Sequence, residues 1–186
     1  MIKKKYKPII LVITPIKHIK GVYQKLKKIG DIIYAPDPTK NELLKVNKNI
    51  DVIYTNPNKS KIFIGKDVYN HFKKLKIICT ASTGTVHIDK IFAKKYNVKI
   101  LSLTKEYNTI KNISSTAELA FTLMLLAVRN IIEANESVKK GYWDYEKFIG
   151  RQINFLNIGI IGFGRLGKLF SKYSKSFGAK VYVYDP

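Results

Sequence analysis

Three glycines and one acid carry the most specific chemistry in this sequence. Gly162, Gly164 and Gly167 stand in G-x-G-x-x-G spacing, and Asp185 follows Gly167 by 18 residues. In such a constellation the first glycine permits a tight turn off a strand. The second lets the backbone approach a pyrophosphate, and the third lets a helix pack close to the sheet. The N–H groups around Arg165 and Leu166 open that helix, where unpaired amides and the helix dipole favour phosphate. A carboxylate at Asp185 accepts hydrogen bonds from adenosine ribose hydroxyls and repels a 2′-phosphate, so these residues favour NAD over NADP. A P-loop reading fails, because Gly162-x4-Gly167-Lys168 is followed by Leu169 where Mg²⁺ coordination needs Ser or Thr.

Those residues work only on a strand–turn–helix–strand frame, and the flanking pattern supplies one. Residues 158–161 form a short apolar run suited to a buried parallel strand. Leu166, Leu169, Phe170 and Tyr173 then recur at the period of an amphipathic helix. Gly178 can close that helix at positive φ. Residues 180–184 read as a second strand with Asp185 at its carboxyl end.

Upstream, short apolar runs alternate with helical patterns. Strands are expected at 8–14, 31–34, 51–55, 76–80 and 98–101, with helices at 20–28, 39–46, 66–73 and 89–96. Such alternation predicts an α/β fold, a parallel sheet with helices on both faces, with ligands outside the carboxyl ends of the strands. The loop 81–89, Ala-Ser-Thr-Gly-Thr-Val-His-Ile-Asp, therefore attracts notice. Small hydroxylated residues around Gly84 can expose consecutive N–H groups to an anion. Asp89 suits the N-cap of the next helix, and taken alone the loop reads as an ordinary strand-to-helix turn. Ser115 and Glu118 are spaced as a capping box. From there one helix is expected to about Lys139, apolar nearly all round and so buried at a domain or subunit contact.

Composition bounds the alternatives. The 46% hydrophobic and 12% aromatic content suits a packed core. One cysteine, Cys79, excludes an intrachain disulfide and fits a reducing, cytoplasmic setting. The apolar run 123–128 is too short to span a bilayer, so no membrane association is expected. The formal charge of +21 raises nucleic-acid binding. Of the 34 basic residues, however, only Arg129, Arg151 and Arg165 are arginines, and the lysines are scattered. Bidentate phosphate and base contacts favour arginine, so specific nucleic-acid recognition is not expected. His18 and His71 sit in lysine-rich surroundings without evident partners, His87 reads as structural, and Cys79 as packing. No catalytic residue and no metal site emerge.

Three blocks taken together, residues 80–89, 114–129 and 159–186, resemble the amino-terminal portion of the D-isomer-specific 2-hydroxyacid dehydrogenases, the family of D-3-phosphoglycerate dehydrogenase and glyoxylate or hydroxypyruvate reductases. The resemblance implies a flavodoxin-like substrate domain over residues 1–113 and the start of a Rossmann NAD-binding domain over 114–186. It implies hydride transfer between nicotinamide and a small 2-oxo or D-2-hydroxy acid. Amides at Thr83 and Gly84 would hold the substrate carboxylate, Thr83 also touching the nicotinamide end. Arg165 and Leu166 would hold the pyrophosphate and Asp185 the ribose. The 115–139 helix would pair two subunits as a homodimer. Where phosphoglycerate-type members carry arginine and serine after the third strand, this chain has Thr55-Asn56-Pro57, which argues against a phosphorylated substrate. The family's catalytic arginine, glutamate and histidine fall beyond residue 186, which implies a truncated chain inactive alone. A non-catalytic NAD-binding or interaction module, or one half of a split enzyme, is the alternative.

Overall fold

The computed structural model describes residues 6–58 and 62–186. The chain divides into two compact units, Met1–Ile110 and Lys111–Pro186. The first is built on five strands, β1 (Ile9–Val12), β2 (Asp31–Tyr34), β3 (Val52–Thr55), β4 (Ile77–Thr80) and β5 (Lys99–Leu101). All pairings are parallel, in the order β2-β1-β3-β4-β5, which is the flavodoxin-like order. Each expected strand is present, trimmed at its ends except β2.

Alternation along the strands builds two apolar layers. Leu11, Ile13, Ile53 and Ile78 face one side, with Leu43 of α2 (Lys40–Leu43), Val68 and Tyr69 of α3 (Lys66–His71) and Ala93 of α4 (Lys90–Lys95). Ile10 and Val12 face the other, under Tyr23 and Leu26 of α1 (Val22–Ile29). The helix expected from residue 20 begins later because Gly21 adopts φ 81° as its N-cap, after a turn. The helix expected over 39–46 is a single turn. There Glu42 N donates to Thr39 Oγ1 at 3.3 Å and Thr39 N to the Glu42 carboxylate at 2.8 Å, a capping box the sequence reading passed over. A further turn, α5 (Tyr107–Ile110), closes the unit.

The amino ends of three strands meet at Asp51, which is only 5% exposed. Its carboxylate accepts from Ile9 N at 2.9 Å and from Tyr6 Oη at 2.5 Å, with the Lys76 ammonium 3.8 Å away. Its backbone donates to Ile9 O and accepts from Lys76 N. Side chain and main chain together therefore link β1, β3 and the start of β4.

The second unit holds α6 (Ser115–Val128), α7 (Ile131–Lys139), β6 (Asn157–Ile161), α8 (Arg165–Ser176) and β7 (Lys180–Tyr184). β6 and β7 pair in parallel from Asn157↔Lys180 to Ile161↔Tyr184. Phe121 of α6 joins the two helices, its ring centroid 5.9 Å from those of Phe170 and Tyr173 and 5.1 Å from that of Phe177.

Two expectations are corrected here. The single 115–139 helix is broken at Asn130, whose backbone turns left-handed at φ 51°, a conformation asparagine tolerates better than most residues. The capping box at Ser115 and Glu118 does not form. Ser115 is already inside the helix, and the Ser114 hydroxyl donates to the Glu118 carboxylate. Within the chain only Ala117 and Phe121 of α6 are buried, while Leu119 and Leu123 are more than half exposed. Among the described residues, no single helix is long and apolar enough to cross a membrane.

Removing the Asp51 carboxylate leaves Ile9 N–H buried without its acceptor. Asp51→Ala is expected to cost about 2–3 kcal/mol, read as a lower urea midpoint of the chain, whereas a change within about 0.5 kcal/mol would deny Asp51 its linking role.

Candidate functional site

In the second unit the chain leaves β6 through Gly162 at φ 94°, a left-handed turn open to glycine. Gly162 N donates to Tyr184 O at 2.8 Å, which sets the turn beside the carboxyl end of β7, where Asp185 follows with its side chain exposed. Gly164 is the extended N-cap of α8, with open space on its Cβ side. A Cβ on Gly167 would overlap the Gly162 carbonyl oxygen, so the helix can lie against the turn only with glycine there. Arg165 and Leu166 supply the first helical amides, which an α-helix leaves without internal partners. The Arg165 guanidinium donates to Ile113 O. Gly178 closes the helix at φ 84°. Turn, amides and strand-end acid thus lie at one edge of a βαβ unit.

In the first unit the 81–89 loop leaves β4, and its carbonyls are held in sequence. Ser82 O accepts from Leu103 N at 2.9 Å, Thr83 O from the Thr104 hydroxyl at 2.7 Å, and Gly84 O from the Ser82 hydroxyl at 2.7 Å. Among the described residues, the N–H groups of Thr83, Gly84 and Thr85 have no hydrogen-bond partner. Thr83 and Gly84 are exposed. The loop ends on Asp89, whose carboxylate accepts from Ile91 N at 2.9 Å and Phe92 N at 3.0 Å, the expected N-cap of α4.

Beneath the loop lies a chain of hydroxyls ending on His87, which is 8% exposed. The Ser82 proton goes to a carbonyl, which can only accept. Thr80 Oγ1, 2.8 Å from Ser82 Oγ, must therefore donate to it, and must accept from His87 Nε2 at 3.2 Å. His87 is thereby assigned the Nε2–H tautomer. Among the described residues its Nδ1 is buried without a partner, as is Thr55 Oγ1 on the neighbouring strand. Burial pushes the His87 pKa down and favours the neutral ring. His87 supports the loop from inside and offers no proton outward, in keeping with its structural reading.

The other candidates are not drawn to these loops. Cys79 is half-buried in β4, with burial pushing its thiol pKa up, which keeps the thiol protonated. His18 lies on an exposed turn. His71, expected to lack a partner, instead has Nε2 3.1 Å from Val46 O and its ring against Phe72, so it packs α3 to the segment after α2. Among the described residues no cluster of three or more His, Cys, Asp and Glu side chains could hold a metal ion. A cavity of about 710 Å³ opens beside the starts of α2 and α3, lined by Asp37, Lys40, Lys66, Asp67 and Asp89 among others. Lys40 is already paired with Asp67, so its surplus of carboxylates suits an anion poorly, and residues 81–87 do not line it. The sequence reading missed Thr80, Thr104 and the supporting part played by Ser82. Ser102-x-Thr104, two hydroxyls just past a strand end, was the available signal.

A glycine turn, a helix amino terminus and a strand-end carboxylate on parallel strands define the second unit as the start of a dinucleotide-binding Rossmann domain. Residues 121–186 match the model of the family described as D-isomer specific 2-hydroxyacid dehydrogenase, NAD binding domain. D-3-phosphoglycerate dehydrogenase of Methanocaldococcus jannaschii is 35% identical over 161 residues, 87% of this chain and 29% of that one. Hydroxypyruvate reductase of Thermotoga maritima is 34% identical over 147 residues, 79% of this chain and 45% of that one. The crystal structure of D-lactate dehydrogenase from Aquifex aeolicus, complexed with NAD and lactic acid, superposes with a TM-score of 0.76 at 26% identity, covering 95% of this chain and 51% of that one. Over most of its length the chain is thus similar to the amino-terminal portion of D-isomer-specific 2-hydroxyacid dehydrogenases. It spans less than half the length of these two curated relatives.

Two outcomes follow from the buried contacts. Gly167→Ala forces a methyl into the Gly162 carbonyl and is expected to destabilise the second unit by about 1–3 kcal/mol, measured by urea unfolding followed through signals of that unit. For His87 the folded-state pKa is lowered, so the unfolded chain takes up the proton first as pH falls below about 6.5. The neutral ring's contribution is complete above that pH and is lost as pH falls toward the folded-state value, where the loss levels off. The stability difference between wild type and His87→Gln is expected to shrink from pH 7.5 to pH 5, and a difference constant over that range would show that His87 does not titrate this way.

Proposed function

We propose that this chain binds NAD on its second unit and the carboxylate of a small 2-oxo or D-2-hydroxy acid on its first, as part of a D-2-hydroxyacid dehydrogenase. The observation that carries the reading is the edge formed by Gly162, the α8 amides and Asp185. Gly162 makes the turn and Gly164 leaves room for a pyrophosphate. The amides of Arg165 and Leu166 face the phosphates with the favourable end of the helix dipole, and Gly167 seats the helix. Asp185 receives the ribose hydroxyls and disfavours a 2′-phosphate. The residues present therefore fit the cofactor. When bound, NAD supplies the hydride acceptor, and NADH the donor, for chemistry at the acid's C2.

On the first unit, the free amides around Thr83 and Gly84 receive the carboxylate. No arginine stands at 55–57 to claim a second anionic group, so we favour an unphosphorylated acid. The proton that must reach the reduced carbonyl needs a donor. His87 is not that donor, because it is buried and its Nε2–H is engaged by Thr80. We infer that this loop positions substrate and leaves acid–base work to groups outside it. The exposed apolar face of α6, with Leu119 and Leu123, supports pairing with a second copy along residues 115–139.

The test is cofactor titration of the whole chain by calorimetry. Wild type is expected to bind NADH and to prefer it over NADPH. Asp185→Ser is expected to weaken NADH about tenfold or more and to narrow the gap to NADPH. No measurable NADH binding by folded wild-type protein would end the proposal.

A further inference from the structure

The 81–89 loop contains no cis peptide, so each carbonyl points opposite to the N–H of the following residue. Fixing a carbonyl therefore fixes the direction of the next amide. Glycine at 84 has no side chain to restrain the peptides on either side of it. A flip of either peptide would put a carbonyl oxygen where an amide now points. The surface would change from attracting an anion to repelling it. Something must hold these two peptides, and two hydroxyl relays end on them. Ser102 Oγ donates to Thr104 Oγ1 at 3.0 Å, which donates to Thr83 O at 2.7 Å. His87 Nε2–H donates to Thr80, Thr80 to Ser82, and Ser82 to Gly84 O. In each relay the upstream donor occupies the lone-pair side of the next hydroxyl and leaves its proton for the carbonyl.

We propose that Thr104 and Ser82 are positioning residues that lock the Gly84 and Thr85 amides outward, in the orientation that receives a ligand carboxylate. Thr104 sets Gly84 N–H through the Thr83 carbonyl, and Ser82 sets Thr85 N–H through the Gly84 carbonyl. His87 and Ser102 fix the two hydroxyl rotors from behind. This rests on the carboxylate reading of the loop given above and adds what holds it in shape. Oxamate, a small carboxylate resembling a 2-oxo acid, is the probe.

The experiment is oxamate titration of the ¹⁵N-labelled whole chain, following the Gly84 and Thr85 amide resonances. Thr104→Val, Thr104→Ser, Ser82→Ala and Ser82→Thr are compared with wild type. Unchanged Ile53 and Ile78 resonances report an intact sheet. Should one of the two hydroxyl-free variants disturb the sheet, the other carries the comparison. Wild type is expected to show saturable shifts at both amides. Thr104→Val and Ser82→Ala are expected to bind oxamate about tenfold more weakly, with the NADH response of Gly162 and Gly164 unchanged. Thr104→Ser and Ser82→Thr are expected to restore binding. Undiminished oxamate affinity in both hydroxyl-free variants overturns the positioning roles and leaves the carboxylate site standing. Absence of any oxamate shift at Gly84 and Thr85 in wild type overturns the carboxylate site and the positioning roles with it.

Discussion

Parallel strands send every carboxyl end to the same edge of a sheet, and the chemistry of this chain is arranged under that constraint. Each unit obeys it separately. In the first, β4 delivers the 81–89 loop to that edge. In the second, β6 delivers the glycine turn and β7 the acid. Parallel pairing demands crossovers, and most of these are helices whose starts also fall at the same edge. The amino edge has the opposite task of keeping strand beginnings together without ligand chemistry. In the first unit Asp51 does this with one buried carboxylate, so cohesion is concentrated at the edge opposite the candidate site.

Both candidate subsites offer an anion mainly main-chain amides. That choice suits a sequence with few arginines. Side-chain cations are abundant here, but lysine is a mobile, strongly hydrated point charge. Backbone N–H groups carry no rotamer entropy and are aimed by the fold itself. The lysine surplus contributes a general attraction for anions that salt would screen. The loop and the helix start supply the direction that lysines lack.

Much of this was legible because local signals and tertiary outcome agree. Gly162, Gly167 and Gly178 each meet a backbone need that spacing alone announced, and Asp89 caps its helix as its position suggested. Strand runs survived because buried parallel strands are continuous apolar stretches. The failures have two causes, local signals that were weak and partners that are distant. The break at Asn130 lies within an apolar stretch with no glycine or proline to mark it. The capping box was assigned to Ser115, when one more serine upstream let the helix start earlier. The partner of His71 is a carbonyl 25 residues away, and that of Thr83 a hydroxyl 21 residues on. Contacts of that range follow from strand order, which periodicity does not encode.

That the carbonyls from Ser82 to Thr85 all accept hydrogen bonds from within the chain has a consequence for chemical sorting. The free N–H groups of Thr83, Gly84 and Thr85 give a visitor several donors, while the carbonyls beside them already hold hydrogen bonds. A carboxylate presents only lone pairs and suits such donors, whereas its conjugate acid must also place a proton, for which the threonine hydroxyls are the ready acceptors. As a carboxylate site, the stretch 82–85, which has no charged side chain, would favour the ionised member of an acid–base pair chiefly through the polarity of its peptide planes.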